Sequence, residues 1–168
     1  MNYPIAQSRR LLATMMRKPR RSRILSLDCG DVPDFELIAP HLAEFAGEIW
    51  CIDSDSEALD HAALVLESIA GRCHIIGGNA VFLADCFPGN FDLVLGNRLV
   101  DHRETGHAIH LIRAIYHHQL RVGGTFFFTS TAREEDVLAL CRKAGVPPDA
   151  VAIRTDESGV ALLVDVER

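Results

Sequence analysis

From residue 23 onward the chain alternates short apolar runs with amphipathic segments of helical period, and this alternation constrains the fold more than any other feature. Strands covered on both faces read as near-continuous apolar runs, so the pattern is that of a mostly parallel sheet with helices on both faces. The runs predict strands over 23–28, 48–53, 74–77, 91–95 and 125–129, and the segments between them predict helices over 34–45, 56–70, 104–120 and 132–144. A short turn is expected between the third and fourth strands. Past the break from Gly145 to Pro148 the pattern changes: two β-rich runs, 150–154 and 159–166, flank Thr155 to Ser158, and Gly159 can take a positive φ. That end reads as an antiparallel hairpin.

The expected fold class is therefore α/β: a Rossmann-like, mostly parallel seven-stranded sheet with a C-terminal antiparallel hairpin and helices on both faces. With 168 residues, 48% of them hydrophobic, the chain suits one compact domain with a substantial core and leaves no room for a second. A further helix is predicted over 5–17, where Ile5, Leu11, Leu12, Met15 and Met16 form a partial apolar stripe and Lys18-Pro19 ends it. Residues 1–23 hold seven Lys or Arg and no acid, which leaves 10 bases against 23 acids in the remainder. The acidic body argues against broad nucleic-acid binding, whereas the basic leader suits a local anion, an acidic partner or another copy of the chain. The apolar runs are far shorter than the roughly 20 residues of a membrane span, and the leader lacks the apolar core of a secretory signal. A cytoplasmic protein is expected. Five cysteines, an odd number without a C-x-x-C pair, point to reduced and mostly buried thiols.

In an open α/β sheet, ligands bind outside the carboxyl ends of the strands, and five stretches fall there. Ile24 to Asp31 runs a strand into a small turn, with Asp28, Cys29 and Gly30 before a helix whose first amides can face an anionic group. Ile49 to Ser56 places Asp53 at a strand end about two dozen residues after that turn, where a carboxylate can accept both hydroxyls of a ribose, with Ser54 beside it. The alternative for Asp53 is capping of the next helix, a role Asp55 or Ser56 would fill equally well. Ile75 to Ala80 contains Gly77 and Gly78, which permit close backbone approach, and then Asn79, which offers a donor and an acceptor to a purine edge, followed by Ala80. An ordinary turn with Asn79 in a left-handed conformation is the competing reading. Phe91 to His102 leaves Asn97, Arg98, Asp101 and His102 around a strand exit. Leu120 to Phe128 reads as a tight Gly-Gly turn into a buried strand.

Taken in order, these motifs resemble those of the class I S-adenosylmethionine-dependent methyltransferases, over about residues 20 to 168. Members of that family carry a glycine-rich first turn, an acid ending the second strand, Asp or Asn after the third, F-D-h-h at the fourth, and P-G-G before the fifth. The counterparts are Leu25 to Asp31, Asp53, Asn79, Phe91-Asp92-Leu93-Val94 and Leu120 to Gly124. The resemblance implies S-adenosylmethionine as cofactor, held by Asp28, Cys29, Gly30, Asp53, Ser54, Asn79, Ala80 and Asn97. It also implies a division into a basic helix or cap over 1–22 and a methyltransferase-like domain over 23–168. A narrower similarity is to bacterial proteins that make a 3-hydroxy fatty acid methyl ester signal, carried by Gly78-Asn79-Ala80, Arg98 to His102, Arg113 to Tyr116 and Gly123-Gly124. The chain departs from the family at the first turn, with Ser26 where an acid is usual, Asp28 where glycine is usual, and Asp31-Val32-Pro33 at the end of the loop. Only Gly30 survives from the glycine pattern, and Asp28 is suited to pair with the cofactor's ammonium or sulfonium in place of the missing acid.

Methyl transfer from a sulfonium is a displacement in which the protein chiefly aligns the acceptor. A carboxylate acceptor needs no base and would be held by Arg98 through paired hydrogen bonds, whereas a hydroxyl or amine would call on His102 or Asp101 as base. Taken singly, these residues have plainer readings: Arg98 on a solvated loop, and Asp101 capping the helix that starts near Glu104. His107 and His110, with Glu104 one turn earlier, match no zinc signature, so no metal is expected. No G-x-S-x-G elbow is present, and Phe126-Phe127-Phe128 reads as core. The function expected is methyl transfer to a small molecule, an acyl carboxylate being one such acceptor. The competing readings are a non-catalytic domain with a degraded cofactor loop that works through protein partners, and transfer of the aminocarboxypropyl arm of the same cofactor.

Overall fold

The computed structural model of the chain describes residues 5–17, 21–30, 32–36, 39–83, 86, 89–156 and 161–168. One seven-stranded sheet organises them, in the order β3-β2-β1-β4-β5-β7-β6. Its strands are β1 (Arg23–Leu27), β2 (Glu48–Asp53), β3 (Cys73–Gly77), β4 (Phe91–Gly96), β5 (Leu120–Ser130), β6 (Val151–Thr155) and β7 (Leu162–Glu167). The first five are parallel neighbours, and β7 inserts antiparallel between β5 and β6. The expected sheet and its antiparallel C-terminal pair are both present. The turn expected between that pair falls on 157–160, outside the described residues.

The apolar runs form strands because both faces of the sheet are covered. Every residue of β4 is buried, and the aromatic run of β5 is divided between two cores: Phe126 and Phe128 pack on one face, Phe127 on the other. The first face is closed by α6 (Thr105–Ala114) and α7 (Glu134–Lys143), the second by α1 (Ile5–Met16), α2 (Pro33–Glu36), α3 (Ala39–Leu42) and part of α4 (Ser56–Val65). Isolated helices of this length are marginal in water, so α1 depends on what it buries. Leu12 and Met15 are inserted into the same cluster as Ile24 and Phe35, and each such side chain contributes about 1.5–3 kcal/mol.

Several boundaries differ from the sequence expectation, each for a local reason. Of the helix expected over 34–45, the described parts are α2 and α3, residues 37–38 lie outside the described set, and residues past Leu42 are not helical. The helix expected over 56–70 stops at Val65 and tightens into a 3-10 segment, Glu67–Arg72, because Ile69 leaves helical geometry (φ −125°, ψ 24°) as it turns into the core. The helix expected over 104–120 ends at Ala114 and widens into a π turn, Ile115–Gln119. The apolar periodicity runs on through that change of pitch and hides it. The Gly-Gly turn expected before the fifth strand lies inside it instead. Gly123 (φ 74°) and Gly124 form an irregularity in β5 where the register with β4 shifts, and a Cβ on Gly124 would come within 2.9 Å of the Phe91 carbonyl oxygen. A short helix, α5 (Ala80–Leu83), also follows β3 where a simple turn was expected.

Of the five cysteines, Cys29, Cys51 and Cys141 are buried, Cys73 is half-buried and Cys86 is exposed, so the thiols are mostly buried, as expected. Burial pushes the Cys141 thiol up to about 11. Cys51 is raised by hydrogen bonding with the Cys29 and Cys73 thiols and by its own burial, while Cys73, accepting from Cys51, is lowered.

Candidate functional site

From β1, successive parallel strands run in one direction through β2 to β3 and in the other through β4 to β5. The crevice at the carboxyl ends of β1 and β4 is therefore the topological switch point, the place in such sheets where ligands bind. The loop after β1 has an unusual backbone: Asp28 (φ 48°), Gly30 (φ 51°) and Val32 (φ 45°) all adopt left-handed conformations. Glycine does this freely and Asp tolerates it, but a β-branched residue is strained there by about 1–3 kcal/mol. The loop is held in that shape by Cys29 N–H donating to the Ile52 carbonyl (3.1 Å) and Val32 N–H donating to the Cys29 carbonyl (3.0 Å). A Cβ built on Gly30 would meet nothing within 4 Å, so open space adjoins the loop there.

Asp53 ties this loop to the end of β2. Its carboxylate accepts from Gly30 N–H (2.8 Å) through one oxygen and from Asp55 N–H (2.9 Å) through the other. Capping of α4 falls to Asp55, whose side chain accepts from Glu57 N–H at 2.9 Å, so Asp53 is not the cap. Asp53 remains half-exposed and Ser54 exposed beside it. Each Asp53 oxygen keeps a further lone pair for a hydroxyl. After β3, Asn79 is exposed and caps α5: its Oδ1 accepts from Val81 N–H (2.9 Å), which leaves its amide NH2 as the group available to a ligand. Its φ is not positive, so the left-handed reading does not hold. Two of the expected cofactor residues offer no side chain to the crevice. Ala80 is fully buried, and Cys29 turns its thiol inward towards Cys51 with both backbone groups engaged by the fold. Their place is to shape the site from beneath.

At the exit of β4 the expected residues are brought together, but in roles that differ from one another. The Thr129 hydroxyl accepts from Arg98 N–H (2.8 Å) and donates to Asn97 Oδ1 (2.9 Å), fixing the turn in which Arg98 takes φ 50°. Asp101 is a clasp between this turn and the end of β5. It accepts from the Ser130 hydroxyl (2.6 Å), the Thr131 N–H (3.0 Å) and hydroxyl (2.9 Å), and Arg98 Nε (3.2 Å), with its side chain only 4% exposed. Burial pulls its carboxyl upward, but the Ser130, Thr131 and Arg98 hydrogen bonds together outweigh that and hold it below the usual range. A carboxylate so saturated is a poor proton acceptor, which argues against Asp101 as a base. Nor does it cap α6, whose N-terminal flanking residue is Glu104. Arg98, 45% exposed and anchored through Nε, keeps its two terminal nitrogens for a ligand. His102 is exposed on the next turn.

Sequence reasoning missed two parts of this site. One is the hydroxyl-rich end of β5, Thr129-Ser130-Thr131, whose signal was present as an abrupt change from Phe to Ser and Thr at a strand exit. The other is Arg103, 15% exposed, which reaches back to the Leu99 carbonyl and across the crevice to Asp28. The partner lies 75 positions away in sequence, so no local pattern announces the pair.

No family model matches the chain, and no curated protein matches it by sequence. Solved structures do share its fold. An inferred O-methyltransferase from Nostoc punctiforme superposes with a TM-score of 0.73 at 16% identity, covering 98% of this chain and 57% of that one. A TehB-like S-adenosylmethionine-dependent methyltransferase from Corynebacterium glutamicum gives 0.70 at 15% identity, covering 96% and 86%. An rRNA methylase from Streptococcus thermophilus gives 0.72 at 17% identity, covering 98% and 96%. At these identities the likeness establishes the class I methyltransferase fold. The chain spans less than two thirds of the length of several matched structures, the Nostoc protein among them. The narrower likeness to fatty acid methyl ester synthesis is not reflected in these three structures.

Proposed function

We propose that the chain binds S-adenosylmethionine in the crevice between β1 and β4 and transfers its methyl group to a small-molecule acceptor held at the Arg98 rim. The observation that carries this reading is the bridge from Asp53 to Gly30, which places a half-exposed carboxylate beside open space at the switch point. The residues fit the cofactor. Asp53 would hold the ribose hydroxyls through its remaining lone pairs, and exposed Ser54 and the amide NH2 groups of Asn79 and Asn97, whose Oδ1 atoms are already engaged, would supply further polar contacts. The cofactor would supply an activated methyl on a sulfonium. The protein's own part is to orient the acceptor, which a guanidinium with two free terminal nitrogens does well for a carboxylate. His102 is left as the base for a hydroxyl or amine acceptor, since Asp101 is committed to its clasp.

A small acceptor is favoured over RNA by the acidic body, net charge −6, although two matched structures of similar length are named as rRNA methylases. The location proposed is the cytoplasm; among the described residues no helix is long and apolar enough to cross a membrane. Incubation with methyl-labelled S-adenosylmethionine and parallel panels of carboxylic acids, alcohols, amines and RNA tests the reading. Label is expected in a carboxylic acid as its methyl ester, and Arg98→Ala is expected to raise KM for that acid about tenfold, as loss of one charge-assisted pair would. Label in RNA alone would refute the choice of acceptor.

A further inference from the structure

Asp28 and Arg103 form a pair in the crevice that the quoted motifs do not contain, since glycine is usual at the first position and the second lies outside every one of them. Asp28 Oδ2 accepts from the Arg103 guanidinium, and another guanidinium nitrogen is anchored on the Leu99 carbonyl. Two of the five guanidinium donors are thereby engaged. Among the described residues the second Asp28 oxygen takes no hydrogen bond, and its side chain is 34% exposed against 15% for Arg103. The pair thus presents an acceptor edge and a donor edge side by side at the mouth of the switch point. Asp28 is held there in a left-handed backbone (φ 48°), an outlier of the kind that persists at ligand sites.

An α-amino acid group carries the matching chemistry, an ammonium and a carboxylate a short distance apart with no net charge. Such a group completes a ring of alternating charges and leaves no ion unpaired in a partly buried place, which a lone anion or cation would do. We infer that the Asp28–Arg103 pair is the reader of the cofactor's amino acid arm, Asp28 taking the ammonium and Arg103 the carboxylate, and that it does in this chain what the missing acid and glycines do elsewhere. The inference rests on the cofactor reading proposed above. It makes the arm, and not only the adenosine, a determinant of affinity.

Calorimetric titration with two probes separates the inference from its premise: S-adenosylhomocysteine, which has the arm, and 5′-methylthioadenosine, which keeps the nucleoside and thioether but lacks it. The wild-type protein is expected to bind the first at least tenfold more tightly, as one or two charge-assisted hydrogen bonds would give. Arg103→Met and Asp28→Asn are each expected to weaken S-adenosylhomocysteine about tenfold while leaving 5′-methylthioadenosine within about twofold. Asp28→Gly relaxes the backbone and restores the family's residue, yet is expected to lose the same preference. Arg103→Lys, which keeps the charge without the fork, is expected to fall between. Melting curves of each variant confirm the folded state. If both probes bind and the variants change them equally or not at all, the pair is a structural strap and the inference fails alone. If neither probe binds folded wild-type protein, the cofactor reading fails and takes this inference with it.

Discussion

The two ends of the sheet are both tied by buried carboxylates, and they are tied differently. At the amino ends, Asp92 accepts from Arg121 (2.9 Å) and from Arg23 N–H (3.0 Å), with its side chain 4% exposed. The Arg23 guanidinium lies over the rings of Trp50 and Phe91, bonds the Gly89 carbonyl and pairs with Glu48. At the carboxyl ends, Asp53 and Asp28 stay partly exposed and keep unused lone pairs, and Arg98 and Arg103 keep unused donors. The loops there also hold three non-glycine residues at positive φ, Asp28, Val32 and Arg98. At the amino end the carboxylate is fully engaged, although the buried Ser22 hydroxyl there finds no partner among the described residues and Asn90 takes φ 74°; at the carboxyl end the carboxylates keep capacity, and more of the backbone is strained. That asymmetry is what a ligand site requires, and it appears where the strand order reverses. Asp101 shows that the division is not simply by end: although at the carboxyl side, it is saturated, and it belongs to the framework.

The largest break in this comparison comes from Asp92. Asp92→Ala removes one carboxylate from two strands and leaves Arg121 unpaired, at an expected cost of about 3 kcal/mol. Thermal denaturation should show a fall in Tm of roughly 6–12 °C for a chain of this size. Affinity for S-adenosylhomocysteine should be unchanged in the folded protein. A smaller effect, about 2 kcal/mol, is expected for Asp101→Asn, because a buried acceptor of several donors is lost. Its pH dependence sharpens the point. The folded-state pKa of Asp101 is depressed, so its contribution is fully present above the unfolded value near 3.9 and disappears as pH falls through the folded value. The Tm difference between wild type and Asp101→Asn should therefore be full at pH 6–7 and shrink below about pH 4. A catalytic base with little structural work would show no such difference.

The smallest effect concerns the thiols beneath the loop. Brief alkylation of native protein at pH 8, read by mass spectrometry, should modify exposed Cys86 first and half-buried Cys73 next. Cys51 and Cys141 should react only on unfolding, since burial and, for Cys51, its thiol neighbours keep them protonated. Early modification of Cys51 would show that the packing under the loop after β1 is looser than described.

The sheet was legible because burial on both faces writes itself into the sequence as apolar runs. The strand 48–53 appears with its expected ends, and the others differ by one to five residues. Helix ends were less legible, since Ile69 and Ile115 continue an apolar period through a change of helical pitch. Asp53 was legible from position alone, whereas its bond to Gly30 was not, because that depends on loop backbone geometry. Arg98 and Asp101 were found together, but the clasp that separates their roles comes from Ser130 and Thr131, some thirty residues later. Asp28 and Arg103 are farther apart still. Pattern reading finds what repeats locally; a pair joined across the crevice has no period to reveal it.

The central claim, that the carboxyl end serves a ligand and the amino end serves the fold, is tested most directly by titrating S-adenosylhomocysteine into wild-type protein, Asp53→Ala and Asp92→Ala, with Tm measured on the same samples. Micromolar binding by wild type is expected, lost in Asp53→Ala with a modest change in Tm, and retained in Asp92→Ala despite a large one. Undiminished binding in Asp53→Ala, or no binding by folded wild-type protein, would contradict it.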